Sequence, residues 1–248
     1  MEYAIPWSCT FQARIRSLIR YKSAKNSKFW TKFASPSSCR LVHAAELLAP
    51  AARVKHYDTS AEHINASVEA SLRDMATDQI DLLLIHRPDA LMDPDELANT
   101  FEGLRAAGKV LHFGVSNHTP SQLALLNNRI GLATNQIELH PRLQQADLRA
   151  FHAAHGIVTQ SWTPLGQGKS FVAAPVAAAA ARTGKSPAQV ILRWHLHLGC
   201  SVIPRSTRAA GLAENLDLFD FALTEDEMAA IATLDAGERT GPDPAVFS

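Results

Sequence analysis

The sequence predicts an α/β protein with a TIM-type (β/α)8 barrel that is incomplete in its N-terminal units. Strand-like and helix-like segments alternate regularly from Asp58 onward, which is typical of a parallel sheet. The strands end in polar groups at the spacing of βα units, and the carboxyl ends of barrel strands are where enzyme sites gather. The first secure strand begins only near residue 80, so the front of the barrel is thin or absent.

Each predicted element has its own local signal. A capping box at Thr59 and Glu62 begins the first clear helix, which carries an apolar stripe at helical spacing. The strand 80–85 is apolar apart from Asp81, as expected for a strand covered on both faces. The helix after Ser186 has proline at its first position, and Thr224 begins a second capping box. The later elements are helix 94–107, strand 110–115, helix 120–127, strand 132–137, helix 145–154, strand 157–162, helix 186–198, strand 202–204, helix 208–216 and helix 224–234.

Residues 1–50 differ from the rest in charge and in pattern. We interpret them as an atypical basic leader that replaces the first barrel units, and residues 51–248 as the barrel domain. Residues 11–20 could form a basic amphipathic helix, and residues 28–33 alternate like a strand. An organelle transit peptide has the same composition, and a basic surface helix or an abnormal gene start explains it equally. Residues 1–50 contain only two acidic residues, Glu2 and Glu46. Their basic residues are Arg14, Arg16, Arg20, Lys22, Lys25, Lys28, Lys32 and Arg40.

Composition excludes several classes of function. The 248 residues are 46% hydrophobic and 19% charged with a net charge of zero, which argues against general binding of nucleic acid. No apolar run approaches the roughly 20 residues of a membrane span. Cys9, Cys39 and Cys200 are far apart and lack CxxC spacing, so neither a disulfide framework nor a metal site is expected. A reducing, cytoplasmic setting is therefore expected.

Five motifs follow the predicted strands in a fixed order: IHRPD, GVSN, TNQIELHP, SWTPLGQG and VIPRSTRAAGLAENL. Over residues 55–248 this series resembles the aldo-keto reductases. The first half resembles one bacterial oxidoreductase branch, and from about Gln136 the chain resembles the diketo-gluconate reductase branch, as in a mosaic. The resemblance implies a single β/α barrel that uses NADPH to reduce a small carbonyl substrate. It leaves the oligomeric state open.

The resemblance also implies roles for the polar strand ends. His86 would hydrogen-bond the substrate carbonyl, and a hydrogen-bonded loop histidine is the alternative. Ser116, Asn117 and Gln136 would hold the nicotinamide carboxamide, which needs both donors and acceptors. Trp162 would stack on the nicotinamide ring, and a core tryptophan is the alternative.

The nucleotide end of the cofactor is expected to lie beyond the last two strands. Barrels often bind phosphate there, beside the next helix N-terminus, and arginines at that point favour NADPH over NADH. Gly211 stands where the related branch has an arginine, so one phosphate contact is expected to be lost. The implied contacts are Leu165 and Gly166 for the pyrophosphate, Arg205, Ser206 and Arg208 for the 2′-phosphate, and Glu214 and Asn215 for the adenine.

Only part of the family's catalytic set is evident. Members combine an aspartate, a proton-donating tyrosine and a lysine with the histidine, and only His86 is clear here. Segment 57–63 imitates the aspartate–tyrosine motif with His63 at the tyrosine position. Because it directly precedes the first clear helix, Asp58, Thr59 and Ser60 are interpreted as helix-capping residues.

Lys32, within the alternating segment 28–33, is the candidate catalytic lysine; otherwise it is one more charge in a basic stretch. The predicted function is NADPH-dependent reduction of aldehydes or ketones with the proton donor unassigned. Residues 1–50 could supply that donor. Alternatively, the chain is an NADPH-binding pseudoenzyme or regulatory protein, or a barrel that folds poorly because a strand edge is exposed.

Overall fold

The structure is a computed structural model that describes residues 41–44 and 57–244. Its sheet holds strands that lie side by side in chain order, and every neighbouring pair is parallel. This singly wound order confirms the predicted barrel class. The strands are β1 (Leu41–Ala44), β2 (Ile80–Ile85), β3 (Val110–Ser116), β4 (Thr134–Glu138), β5 (Val158–Trp162) and β6 (Ser201–Ile203).

Helices follow the strands. Ser186 and Thr224 cap their helices as predicted, and each makes both bonds of a capping box. A 3-10 turn, Gly166–Gly168, follows β5. The helices are α1 (Ala61–Asp74), α2 (Pro94–Ala106), α3 (Pro120–Ile130), α4 (Ala146–Ala154), α5 (Ala174–Thr183), α6 (Pro187–His197), α7 (Ala209–Leu216) and α8 (Glu225–Ala232).

Three local predictions need correction. The cap of α1 is Ser60, whose Oγ accepts from the backbone N–H of His63 at 3.3 Å, so the predicted box at Thr59 is wrong. Helix α3 continues to Ile130 rather than ending at residue 127, because Gly131 supplies the left-handed stop with φ 69°. Strand β1 was not predicted; it lies within residues 1–50 and pairs with β2.

The larger core lies between the helices and the outer face of the sheet. Alternate residues of β2 and β3 point outward and meet the apolar stripes of α1, α2 and α3. Phe101 of α2 stacks on Phe113 of β3 with ring centroids 4.1 Å apart. The stripes predicted from helical spacing are buried as expected: Ile64, Val68 and Leu72 on α1, Leu97, Phe101 and Leu104 on α2, and Leu123 and Leu126 on α3.

The inner face of the sheet becomes polar toward the carboxyl ends of its strands. The period of two that turns Phe113 and Val115 outward turns Gly114 and Ser116 inward. Gly114 is required at the centre of this face, because a Cβ there would lie 2.6 Å from Leu84 Cδ2 and 2.8 Å from the Thr134 carbonyl oxygen. The close approach of the strands therefore brings the polar side chains beyond Gly114 together.

Some predictions lie outside the described residues or stay untested. Lys32 and the segments 11–20 and 28–33 fall outside the described ranges, and the division of the chain near residue 50 stays a prediction. Among residues 57–244, no helix has the length and apolar character needed to cross a membrane. Within the same range, no group of three or more His, Cys, Asp or Glu side chains could hold a metal ion.

Candidate active site

Register brings one row of inward-facing polar side chains together. Ser116 pairs with Gln136 between β3 and β4, and Gln136 pairs with Gln160 between β4 and β5. Ser116 Oγ donates to the Gln136 carbonyl oxygen at 2.8 Å, and Gln136 Nε2 donates to Gln160 Oε1 at 2.6 Å. All three residues are buried. Two of the three residues expected to hold a carboxamide are thus directly bonded.

Asn117 joins this row to Trp162. Its backbone is left-handed at φ 63°, and its N–H donates to the Gln136 carbonyl oxygen at 2.9 Å. The side-chain Nδ2 donates to Ser116 Oγ at 3.0 Å, and Oδ1 accepts from Trp162 Nε1 at 2.9 Å. The structure therefore brings Ser116, Asn117, Gln136 and Trp162 into one hydrogen-bonded group at the ends of three neighbouring strands.

Gln160 belongs to the same group but was not assigned a role from the sequence. The alternation of β5 provides the signal, because Gln160 and Trp162 are two residues apart and must face the same side of the sheet. Gln160 is 2% exposed and also pairs with Ser201 of β6. Gln160 therefore bonds the side-chain amide of Gln136 from β5, whereas Ser116 bonds the backbone carbonyl of Gln136 from β3, on the other side of β4.

A buried carboxylate, Glu138, lies at the end of β4 beside Trp162. Glu138 is 0% exposed, and its Oε1 accepts from the backbone N–H of Thr240 at 2.6 Å and from His140 Nε2 at 3.3 Å. Burial alone would raise the pKa of Glu138, but the hydrogen bonds from His140, Thr240 and Gly241 outweigh it and lower that pKa. The carboxylate is therefore the ionised form in this site.

The C-terminal segment 238–244, which we call the strap, packs against this carboxylate. Gly241 approaches the indole so closely that a Cβ would lie 2.6 Å from Trp162 Cη2. The guanidinium of Arg239 lies 3.9 Å from Glu138 Oε2, and Glu238 pairs with Arg142. The strap therefore forms one wall beside the ring of Trp162.

The turn after β5 contains several residues with left-handed backbone. Thr163, Gly166 and Gln167 have left-handed φ angles of 51°, 53° and 57°, and the carbonyl of Leu165 accepts from the N–H of Gly168. A Cβ at Gly166 would lie 3.0 Å from His140 Cγ. Glycine is therefore needed here both for the φ angle and for the contact with His140.

The loop after β6 presents basic residues at the start of α7. Arg205 and Arg208 are exposed, and Ser206 Oγ both donates to the Arg208 carbonyl and accepts from the Arg208 N–H. Helix α7 begins without a side-chain cap, which leaves its first N–H groups for other acceptors. Gly211 lies close to Ser206, because a Cβ there would collide with Ser206 Oγ unless the hydroxyl moved.

The two residues expected on the adenine side lie on α7. Glu214 accepts a hydrogen bond from Ser186 Oγ, the cap of α6, and Asn215 is 5% exposed. Glu214 therefore has a structural role in joining α7 to α6, and any contact with adenine would be additional to it.

His86 follows the last residue of β2 and lies beside the group around Ser116. Ile85 pairs with Val115, so the two strands reach their carboxyl ends side by side. The ring of Tyr57 lies against His86, with centroids 6.0 Å apart and planes inclined by 41°. Tyr57 was not expected in the site, and only its place before α1 hinted that it would face the β2 loop.

A cavity of about 340 Å³ adjoins Asn117 on the side of the strap. His118 lies in its wall, 1% exposed, and burial lowers the pKa of His118 to about 4 despite a hydrogen bond to the Ser116 carbonyl. The neutral ring therefore donates from Nδ1 to that carbonyl at 3.0 Å. The lining residues are Asn117, His118, Thr119, Pro120, Ile137, Gln145, Ala146, Asp147, Leu148, Arg239, Asp243 and Pro244.

Comparison with known proteins agrees with this architecture. The model of the aldo/keto reductase family matches residues 31–236. An aldo-keto reductase of Mycolicibacterium smegmatis is 42% identical over 188 residues, covering 74% of this chain and 68% of that protein. Methylglyoxal reductase DkgA of Yersinia pestis is 42% identical over 186 residues, covering 73% of this chain and 67% of that protein.

Solved structures show the same relationship. The apo form of Gox0644 superposes with a TM-score of 0.78 at 31% identity, over 97% of this chain and 91% of that one. A variant of Gox0644 in complex with NADPH has a TM-score of 0.71 at 37% identity, over 77% of this chain and 72% of that one. The family match and these relatives together show that this chain belongs to the aldo/keto reductase family.

Proposed function

We propose that this protein uses NADPH to reduce aldehydes or ketones to alcohols. The hydrogen-bonded group of Ser116, Asn117, Gln136 and Trp162 carries the proposal, because it places amide donors, amide acceptors and an aromatic ring at one point of the barrel mouth. A nicotinamide needs these partners for its carboxamide and its ring face. The NADPH complex of Gox0644 supports this choice of cofactor.

The bound cofactor would supply a hydride, and the protein would orient both reactants. Arg205, Arg208 and the N-terminus of α7 form a positive end that suits the 2′-phosphate of NADPH. Leu165 and Gly166, in the left-handed turn after β5, would lie beside the pyrophosphate. His86, at the other end of the site, would hydrogen-bond the substrate carbonyl oxygen and polarise it as the hydride arrives.

The substrate class follows from the relatives. Methylglyoxal reductase DkgA is named for a small ketoaldehyde, so methylglyoxal is the first substrate to test. Turnover is measured as the loss of NADPH absorbance, and binding of NADPH and NADH by isothermal titration calorimetry. We expect NADPH to bind more tightly than NADH and methylglyoxal to be reduced.

Arg205→Ala tests the phosphate end, and Arg129→Ala is the matched control, since Arg129 lies on α3 in an exposed pair with Asp95. Loss of a charge-assisted bond should weaken NADPH binding by roughly tenfold to hundredfold and leave NADH binding unchanged. Folded protein that binds neither cofactor would overturn the proposal. Tight NADPH binding without turnover on any carbonyl would instead favour an NADPH-binding protein that lacks reductase activity.

A further inference from the structure

The backbone of Asn117 has an uncommon conformation in the candidate site. Its φ of 63° is left-handed, which is unfavourable for a residue other than glycine unless neighbouring contacts hold it. The bonds of the site fix its N-terminal side, through its own N–H and through Ser116. The contacts that fix its C-terminal side lie on the other face of the sheet, away from the group that would touch the cofactor.

Asn135, the outward-facing neighbour of Gln136 on β4, makes a two-point contact with the backbone of His118. Its Nδ2 donates to the His118 carbonyl oxygen at 3.0 Å, and its Oδ1 accepts from the His118 N–H at 3.4 Å. A side-chain amide carries a donor and an acceptor side by side, so it can bond both backbone groups of one residue. Because His118 directly follows Asn117, this contact fixes the chain on the C-terminal side of the left-handed residue.

His152 of α4 fixes the orientation of this amide. Asn135 Nδ2 also donates to His152 Nε2 at 3.1 Å, and His152 Nδ1 donates to Thr159 Oγ1 of β5 at 2.8 Å. Burial lowers the pKa of His152 to about 4, so its ring is neutral and has one accepting and one donating nitrogen. The amide of Asn135 is therefore bonded on both its nitrogen and its oxygen.

The surroundings of Asn135 favour an apolar side chain. The next outward residue of β4, Ile137, packs in an apolar cluster, as do the outward residues of β2 and β3. Asn135 is 0% exposed, so its amide has lost its contacts with water and depends on its protein partners. It provides what an apolar residue could not, a directional hold on residue 118.

We propose that Asn135 is a positioning residue for the carboxamide of the cofactor, although it lies on the opposite face of the sheet. It holds residue 118, which keeps Asn117 left-handed and keeps the Asn117 amide in its bond with Trp162. The inference rests on the proposed function, because the carboxamide is the group that Asn117 would bind. Without the Asn135 amide, Asn117 would turn away from this position, and nucleotides that carry a carboxamide would lose affinity selectively.

The test compares binding of NADP⁺ with binding of its 3-acetylpyridine analogue, in which a methyl group replaces the NH₂ of the carboxamide. We expect the wild type to bind NADP⁺ about tenfold more tightly in calorimetric titrations, the worth of one or two hydrogen bonds. Asn135→Ala should make the two affinities nearly equal, by weakening NADP⁺. A general loss of stability would weaken both ligands alike, so the ratio of the two affinities reports positioning.

Thr159→Val is the matched control. It removes the acceptor for His152 Nδ1 and so disturbs the same buried network, but it leaves both contacts between Asn135 and residue 118. It should keep the affinity ratio of the wild type. Asn135→Leu is a second variant that fills the volume of the asparagine, so a ratio lost in both Asn135 variants comes from the hydrogen bonds and not from a cavity.

A second measurement needs no cofactor. Because the indole N–H of Trp162 donates to Asn117 Oδ1, its NMR signal reports the position of that amide, and Trp162→Phe assigns the signal. In Asn135→Ala the signal should shift and its exchange with water should accelerate, while Thr159→Val should leave it unchanged. The other indole signals show whether each variant is folded.

The outcomes separate this inference from the function on which it rests. An unchanged preference for NADP⁺ in both Asn135 variants, or an equal loss of preference in Thr159→Val, would overturn the role of Asn135 and leave the reductase function intact. Folded wild-type protein that binds neither nucleotide would overturn the proposed function, and the inference with it.

Discussion

Trp162 and Asn117, which lie 45 residues apart in the chain, are joined by a hydrogen bond of 2.9 Å from the indole Nε1 to the amide Oδ1. The bond fixes the rotation of the indole and the orientation of the amide together. Asn117 in turn donates to Ser116, which donates to the backbone of Gln136. A change at Trp162 should therefore affect the carboxamide contacts as well as the ring contact.

Trp162→Phe keeps an aromatic face but removes the bond to Asn117. We expect NADPH binding to weaken by roughly two- to tenfold, the worth of one neutral hydrogen bond. Trp162→Ala should weaken NADPH binding further, because the stacking surface is lost too. Calorimetric titration measures both, and Trp194→Phe makes the same chemical change in the core around α5 and α6. Equal affinities in Trp162→Phe and Trp194→Phe would contradict the expectation.

Glu138 should hold the strap in place through its charge. Glu138→Gln weakens the acceptor for Thr240 and Gly241, so amide hydrogen exchange at these two residues should accelerate. Charge-assisted bonds of this kind contribute about 1.5–3 kcal/mol each. Glu238→Gln is the matched control, since Glu238 lies in the same strap but pairs with Arg142 at the surface, where ion pairs are worth little.

Because Glu138 holds the strap through its ionised carboxylate, we expect the strap to loosen in acid. Because the pKa of Glu138 is lowered in the folded protein, its stabilisation is complete above the ordinary pKa and is lost as the pH falls through the lowered value. Protection of the Thr240 amide in hydrogen exchange should therefore persist at neutral pH and decline in acid. In Glu138→Gln the protection should be low at neutral pH as well, and a pH dependence unchanged from the wild type would refute the role of Glu138.

Gly114→Ala should be strongly destabilising, although alanine is the smallest possible change. The added Cβ would meet the backbone of Thr134 at 2.8 Å, and a strand backbone cannot move aside without breaking its ladder. We expect a loss of about 1–3 kcal/mol in urea unfolding. Gly103→Ala in α2 has nothing within 4 Å of the new Cβ and should instead stabilise by about 0.5–1 kcal/mol. A lower free energy of unfolding in Gly114→Ala together with a higher one in Gly103→Ala would support the close packing of β2, β3 and β4.

Buried histidines should make the protein less stable in mild acid. Burial lowers the pKa of His152 to about 4, so the unfolded chain takes up a proton near pH 6.5 while the folded protein does not. The free energy of unfolding should therefore fall as the pH decreases from about 6.5 toward 4, by on the order of 3 kcal/mol for this group. In His152→Gln, the free energy of unfolding measured with urea should depend less on pH. His155→Gln is the control, because His155 is exposed nearby in the chain, and it should keep the pH dependence of the wild type.

Local patterns in the sequence determined most of the elements. The capping boxes at Ser186 and Thr224, the apolar stripe of α1 and the polar ends of β3, β4 and β5 all depend on residues within a few positions of each other. Their physics is that of hydrogen-bond capping and side-chain periodicity, which a sequence displays directly. The same alternation would also have identified Gln160.

Only the tertiary structure decided which polar groups meet. The strap reaches Glu138 from 102 residues away, Thr59 bonds Asp89 instead of capping α1, and Tyr57 rather than His63 lies against His86. These contacts depend on the paths of loops, and loop paths are set by packing between elements rather than by the propensity of any single residue. The sequence by itself therefore determined the barrel class and the row of polar strand ends, while the fold decided how the site around that row is enclosed.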